Sequence, residues 1–188
     1  VRRVFYDTEF IDNGKTIDLI SIGMVDEEGN ELYYVNNDCS FKKVLKHKWL
    51  RENVLPYLPT LDDRWDDKYG HSEVVKSKYF ISREVKNFIL GKCPTFVPEG
   101  TKLPKYETVE LWAYYGAYDH VALAQLWGSM IDLPKGIPMY THDLKQEMDR
   151  LGVKKSDLSH LDKGNEHNAL DDAKWNLQLK QFLESLHD

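Results

Sequence analysis

Long apolar runs are missing from this chain. No stretch approaches the roughly 20 residues that a membrane-crossing helix requires, and the first residues show none of the basic, apolar and small-residue succession of a secretory signal. A soluble, cytoplasmic protein with no membrane partner is expected. Cysteine is nearly as scarce. Cys39 and Cys93 stand far apart, in no CxxC arrangement and with no histidine at zinc-like spacing, so free thiols in a reducing compartment are expected. Excess positive charge is lacking too: 25 Lys and Arg against 31 Asp and Glu give a formal net charge of −6. That balance argues against a protein that wraps long duplex nucleic acid through many phosphate contacts. It leaves room for phosphodiester chemistry, because two bound divalent ions bring about four positive charges to the place where a reacting phosphate must sit. With 188 residues, 41% hydrophobic and 30% charged, the chain fits one compact domain over residues 1–188, and no repeat or low-complexity tract interrupts it.

Apolar alternation and turn signals predict three adjacent antiparallel strands, over residues 3–10, 19–25 and 31–35, with Asn13-Gly14 and Glu28-Gly29-Asn30 as turns. A helix is expected over 41–53, stopping before Pro56 and Pro59. The periodicity of residues 61–77 supports no regular element, and they read as a flap or surface excursion. Ser82 resembles the cap of a helix running to Leu90, and a proline-punctuated connector comes next, over 92–105. A strand over 108–115 turns at Gly116-Ala117 into a helix from about Asp119 to Met130, the signature of an α/β crossover. Further helices are expected over 142–151 and 168–186. The fold class is α/β, a mixed sheet flanked by helices.

Chemistry concentrates at five residues. Asp7 and Glu9 lie two apart in the apolar run VRRVFYDTEFI, and in a strand such residues project to one face. Two acids on one face of so apolar a strand are expensive unless a divalent cation is held between them. The DEE at 26–28 carries the same spacing but precedes Gly29-Asn30 and reads as a solvated turn. Asp119 has an ordinary reading as a helix cap, set against its place where a strand's carboxyl end meets a helix start, the position at which α/β sheets present ligands. In HNALDDA, roughly 100° per residue places Asp172 at the centre of the apolar arc of the last helix and Asp171 at its edge, so Asp172 faces inward. His167, about 140° from Asp172 on a continuous helix, belongs instead to the preceding loop or first turn, where it can serve as a general base. Phe10, Trp112, Tyr115 and His120 are candidates for substrate contact, with Tyr114 and Tyr118 as further aromatics that could stack on a base.

In this order DTE, YDHVAL and HNALDD resemble a DEDD-type 3′-to-5′ exonuclease. The subtype is the histidine one, since His167 precedes Asp172 by five while Asn168 holds the place where the tyrosine subtype carries Tyr. FYDTEFI, IDLISIG, NVLPYLP and ELWAYYGAYDHVALAQLWG are similar to RNase AS, the polyadenylate-preferring exoribonucleases. The resemblance implies a ribonuclease H-like fold and two Mg²⁺ or Mn²⁺ ions held by Asp7, Glu9, Asp119 and Asp172, with His167 as base. It also implies release of nucleoside 5′-monophosphates from single-stranded RNA with a free 3′-hydroxyl, a preference for adenylate, and a homodimer. A DNA exonuclease with the same quartet, a catalytically silent nucleic-acid-binding module of this fold, and an α/β protein whose acids only form surface pairs are the alternatives.

Overall fold

The computed structural model describes residues 1–68, 73–91 and 108–186. Three strands, β1 (Arg2–Asp12), β2 (Ile17–Asp26) and β3 (Glu31–Asn36), form the expected antiparallel meander. A short hairpin of β4 (Thr60–Leu61) and β5 (Arg64–Trp65) stands apart from the main sheet, which β6 (Val75–Lys76) joins in parallel with β3. On the other side of β1, β7 (Val109–Ala113) pairs in parallel with β1, and β8 (His142–Asp143) in parallel with β7. The sheet order is β6-β3-β2-β1-β7-β8. The architecture is therefore the α/β one expected, a mixed sheet with helices α1 (Phe41–Lys46), α2 (Lys48–Asn53), α3 (Lys78–Ile89), α4 (Ala117–Ala124), α5 (Leu144–Leu151) and α6 (Ala169–Ser185).

Strand alternation sorts the core. Val4 and Tyr6 of β1, with Ile22 and Met24 of β2, face α3 and α4. Phe5 and Val25 point the opposite way, against Leu144 and Met148 of α5 and Leu179 and Leu183 of α6. A third cluster buries Ile20, Val35, Val44, Leu50 and Trp65 beneath α1 and α2. Burying a large aliphatic or aromatic side chain contributes about 1.5–3 kcal/mol, so these faces, more than helix propensity, fix where the short helices sit. Among the described residues no helix is long and apolar enough to cross a membrane.

Several local expectations are corrected. The helix over 41–53 is two helices broken at His47, whose backbone is extended and whose ring Nδ1 accepts from the Leu50 N–H at 3.3 Å. Ser77, not Ser82, caps α3; Ser82 is buried inside it and donates its hydroxyl to the Tyr79 carbonyl. The helix expected from about Asp119 to Met130 begins at Ala117 and stops at Ala124. The helix over 142–151 starts at Leu144, because His142 and Asp143 pair with β7 and the Asp143 side chain caps α5. Within 61–77, Trp65 is a core residue, and Asp62 and Asp63 hold the hairpin turn at positive φ, which aspartate tolerates. Asp26 is not solvated. It is buried in an ion pair with Arg2 at 2.9 Å and accepts from the Glu28 and Asn30 N–H groups. Cys39 is buried, and burial pushes its thiol up to about 12. Residues 69–72, the connector over 92–105 and Cys93 lie outside the described residues.

Candidate active site

β1 carries Asp7 and Glu9 into the middle of the sheet, opposite Gly23 and Ser21 of β2. A bulge between Glu9 and Phe10 shifts the register next to Glu9, a device that re-aims side chains at sites. Thr8, between the two acids, points to the other face. There its backbone N–H and hydroxyl both donate to Asp119 Oδ1, at 2.9 and 2.6 Å. Asp119 is thus the third residue of α4 and not its cap, and Thr8 ties it to the strand of Asp7 and Glu9. The turn that launches α4 is held by Asp143, which accepts from the Tyr115 and Gly116 N–H groups at 3.3 and 3.1 Å. Tyr115 takes φ 56 there.

Asp172 comes from the first turn of α6, beyond the Asn168 cap. It accepts the His167 N–H at 3.0 Å, which orders the loop residue before the cap in a left-handed conformation, φ 68. Asp171, expected to be solvated, is half-buried and accepts from the Asn165 backbone and side-chain amide at 3.0 Å each. It pins the loop that carries His167. The His167 ring meets Trp49 of α2 edge to face, with centroids 4.9 Å apart. Ligand atoms of Glu9, His167 and Asp172 lie within 4.8 Å of one another.

All five residues line one cleft of about 460 Å³. Its wall is aromatic: Phe10 and Tyr118 stack with centroids 6.0 Å apart and planes 13° from parallel, and Tyr114, Tyr115 and Trp49 complete it. Of the expected substrate contacts, Phe10 and Tyr115 are in the cleft. Trp112 and His120 lie outside its lining: the Trp112 indole donates to Glu110 and its ring stacks on His142, while His120 Nδ1 is 3.3 Å from the buried Tyr6 hydroxyl.

Carboxylates crowded in this way bind protons more tightly than isolated ones. Burial, then the charges of Asp119, Glu9 and Asp172, raises Asp7 well above the usual carboxylate range. Glu9 is pushed up to about 9 by burial and then by Asp172 and Asp119. Asp119 rises to about 6 through burial, against the opposing Thr8 hydrogen bonds. Asp172 also rises to about 6 through burial, opposed by the His167 N–H. Among the described residues no salt bridge reaches any of the four.

A family model described as the 3′-5′ exoribonuclease Rv2179c-like domain matches residues 2–183. The chain belongs to this family. It is 36% identical over 186 residues to 3′-5′ exoribonuclease Rv2179c of Mycobacterium tuberculosis strain ATCC 25618 / H37Rv, covering 99% of this chain and 95% of that protein. It is similar to the same extent to 3′-5′ exoribonuclease MT2234.1 of strain CDC 1551 / Oshkosh. In this member of the Rv2179c-like family, four unpaired carboxylates and an imidazole make a hard, oxygen-rich donor set suited to Mg²⁺ or Mn²⁺, and the raised proton affinities are what such a set shows without cations.

The like charges make a prediction for the metal-free protein. An acid with a raised folded pKa binds more protons folded than unfolded, so stability falls as pH climbs from its unfolded value to its folded one. For Glu9 that window runs from 4.5 to about 9, and for Asp119 and Asp172 from 3.8 to about 6. In chelator, the melting temperature of this Rv2179c-like protein should fall between pH 6 and 9, and Mn²⁺ should restore most at the alkaline end. A melting temperature in chelator that stays flat or rises across that window would show that the carboxylates are not packed together.

Trp49, Thr8 and Asp143 escaped the sequence reading. Thr8 alone carried a signal, its position between two acids.

Proposed function

We propose that this protein is a metal-dependent 3′-to-5′ exoribonuclease of the histidine DEDD type. It hydrolyses single-stranded RNA from a free 3′-hydroxyl, releases nucleoside 5′-monophosphates and prefers adenylate. The observation that carries the reading is the convergence of Asp7, Glu9, Asp119 and Asp172, from three distant segments, in one cleft whose lining includes no lysine or arginine among the described residues. Membership of the Rv2179c-like family and the exoribonuclease activity for which its mycobacterial relatives are named support it.

Asp7, Glu9, Asp119 and Asp172 would hold two Mg²⁺ or Mn²⁺ ions. Such a pair, when bound, activates the attacking water and stabilises the departing 3′ oxygen. His167 takes the water's proton: it hangs over Glu9 and Asp172 on a loop rather than inside a helix, with one side of its ring set by Trp49 and its backbone set by Asp172. Phe10 and Tyr118 offer parallel aromatic faces against which the terminal base stacks, a contact any base can make. Purines, adenylate among them, have a larger π-face than pyrimidines and gain more from it.

The homodimer implied by resemblance to RNase AS is also proposed. Val121, Met130 and Ile131, exposed on α4 and just after it, offer apolar area for such a contact.

Incubation with 3′-hydroxyl oligoadenylate, oligocytidylate and oligodeoxyadenylate, with Mg²⁺ and with chelator, tests class, base and sugar together. Stepwise appearance of AMP, dependent on metal and faster than CMP, is expected. Cleavage in chelator, or internal cuts, would end the proposal. Removing a general base usually loses about 10²- to 10⁴-fold, so His167→Ala should retain slow, metal-dependent release. Full activity in that variant would assign the proton transfer elsewhere.

A further inference from the structure

A smaller lobe of about 120 Å³ opens off the cleft, and the two share Asp7, Tyr114, Glu166 and Asp172. Their chemistry differs. Among the described residues the larger lobe is lined by acids and aromatics, with Thr8 and His167 and no lysine or arginine. The smaller one is lined by Lys155, Lys163, Trp175 and Asn176. Lys163 Nζ lies 3.6 Å from Glu166 and 5.8 Å from the centroid of the Trp175 ring. No hydrogen bond or ion pair within the described residues engages the Lys155 ammonium. The Trp175 side chain is buried, its residue only 8% exposed, and its indole Nε1 is buried with no hydrogen-bond partner among the described residues.

An RNA strand presents two kinds of group to this surface. Bases stack on aromatic faces, which the larger lobe supplies. Phosphates need donors and positive charge, which the acids deny everywhere except where cations bind. The smaller lobe sets two lysines, Lys155 with no acid partner in the described residues and Lys163 beside Glu166, among the shared acids Asp7, Glu166 and Asp172, in a volume suited to a phosphate group rather than a nucleoside. It touches the acid cluster through Asp7 and Asp172, so a strand whose reacting phosphate lies at those acids can place a neighbouring phosphate there.

We propose that the Lys155–Lys163 lobe binds a second phosphodiester of the RNA strand, adjacent to the one being cleaved. It gives the enzyme a preference for substrates of at least two linkages. The inference rests on the nuclease reading of the cleft. Lys155 makes the cleaner test, because Lys163 also acts on Asp172, whose charge it favours.

The experiment compares ApA, with one phosphodiester, and ApApA, with two, on the wild type, Lys155→Ala and Lys155→Arg, in Mg²⁺ across a salt series, with 5′-AMP as inhibitor. Lys155→Ala should raise KM for ApApA about tenfold, the low end for a hydrogen bond to a charged group, with kcat nearly unchanged and a much smaller shift for ApA. The slope of log KM against log salt should shrink by about 0.7, the share of one single-strand phosphate contact. Lys155→Arg should restore both. Equal shifts for ApA and ApApA, or an unchanged salt slope, would overturn the proposal. So would a loss confined to 5′-AMP inhibition, which would give the lobe to the released nucleotide's phosphate instead. A wild-type protein that cleaves neither compound nor longer oligoadenylate brings down the nuclease reading itself and the inference with it, whereas normal cleavage without length dependence removes the inference alone.

Discussion

Asp172→Ala is expected to abolish nucleotide release while raising the melting temperature of the metal-free protein at pH 8. The two effects share one cause. Asp172 is the strongest charge acting on Glu9 and also acts on Asp7, so removing it relieves repulsion that burial has already made expensive. Its hydrogen bond is from the His167 N–H, on a loop with access to the cleft. Loss of one carboxylate from a site that must neutralise developing charge removes several kcal/mol of transition-state stabilisation, at least roughly 10³-fold in rate. Asp119→Asn is the companion variant. It keeps an acceptor for the two Thr8 donors, whose loss would cost about 1–3 kcal/mol as a buried unsatisfied N–H, and should lose activity equally. Activity and melting temperature, measured on the same preparations with and without Mn²⁺, check both. Full turnover in either variant would remove the acid quartet from the chemistry. A melting temperature that falls for Asp172→Ala in chelator would mean that Asp172 holds the fold together instead of straining it.

Periodicity made part of the site legible in the sequence. Two acids two residues apart in an apolar strand must share a face, and the register opposite Gly23 and Ser21 places them so. The angle between Asp171 and Asp172 on a helix separated the one that lines the cleft from the one that does not. Where expectation failed, a long-range partner had overruled a local signature. Capping is read from neighbours in sequence, which left Asp119 with a cap reading beside its expected place in the crevice with Asp7; its acceptor oxygen is taken by Thr8, 111 residues away. Ser82 looked like a helix start for the same reason, but the helix begins earlier, where Ser77 meets the end of β6. Asp26 looked like a solvated turn, because nothing local shows that Arg2 lies across from it. Trp49 and Lys155 carried no signal: each belongs to a short element whose place over the cleft is set by packing on other segments.

Gly23→Ala is expected to damage the site, if less than loss of a ligand does, from a position that carries no functional group. Gly23 pairs with Asp7 across β1 and β2, and the first turn of α6 crosses directly over it. A Cβ there would sit 2.2 Å from the Ala169 carbonyl oxygen and 2.3 Å from the Leu170 nitrogen. Those atoms are backbone and have no rotamer to yield, so the helix start itself must lift. Asp172, two residues past Leu170, and His167, two before Ala169, move with it. Overpacking of this kind costs about 3 kcal/mol, roughly 6–12 °C in melting temperature for a chain of this size. A misplacement of about 1 Å among reacting groups can cost 10²-fold in rate, so kcat should fall by about that factor, and the concentration of Mn²⁺ needed for activity should rise. Gly29→Ala is the control: its φ of +83 makes the substitution strained, but no described atom lies within 4 Å of the added carbon, and its turn meets α6 at Lys174, which pairs with Glu31, beyond the first turn that carries Asp172. It should lose stability and keep kcat. Wild-type kcat in Gly23→Ala would mean that the close crossing of helix over strand does not set the positions of Asp172 and His167.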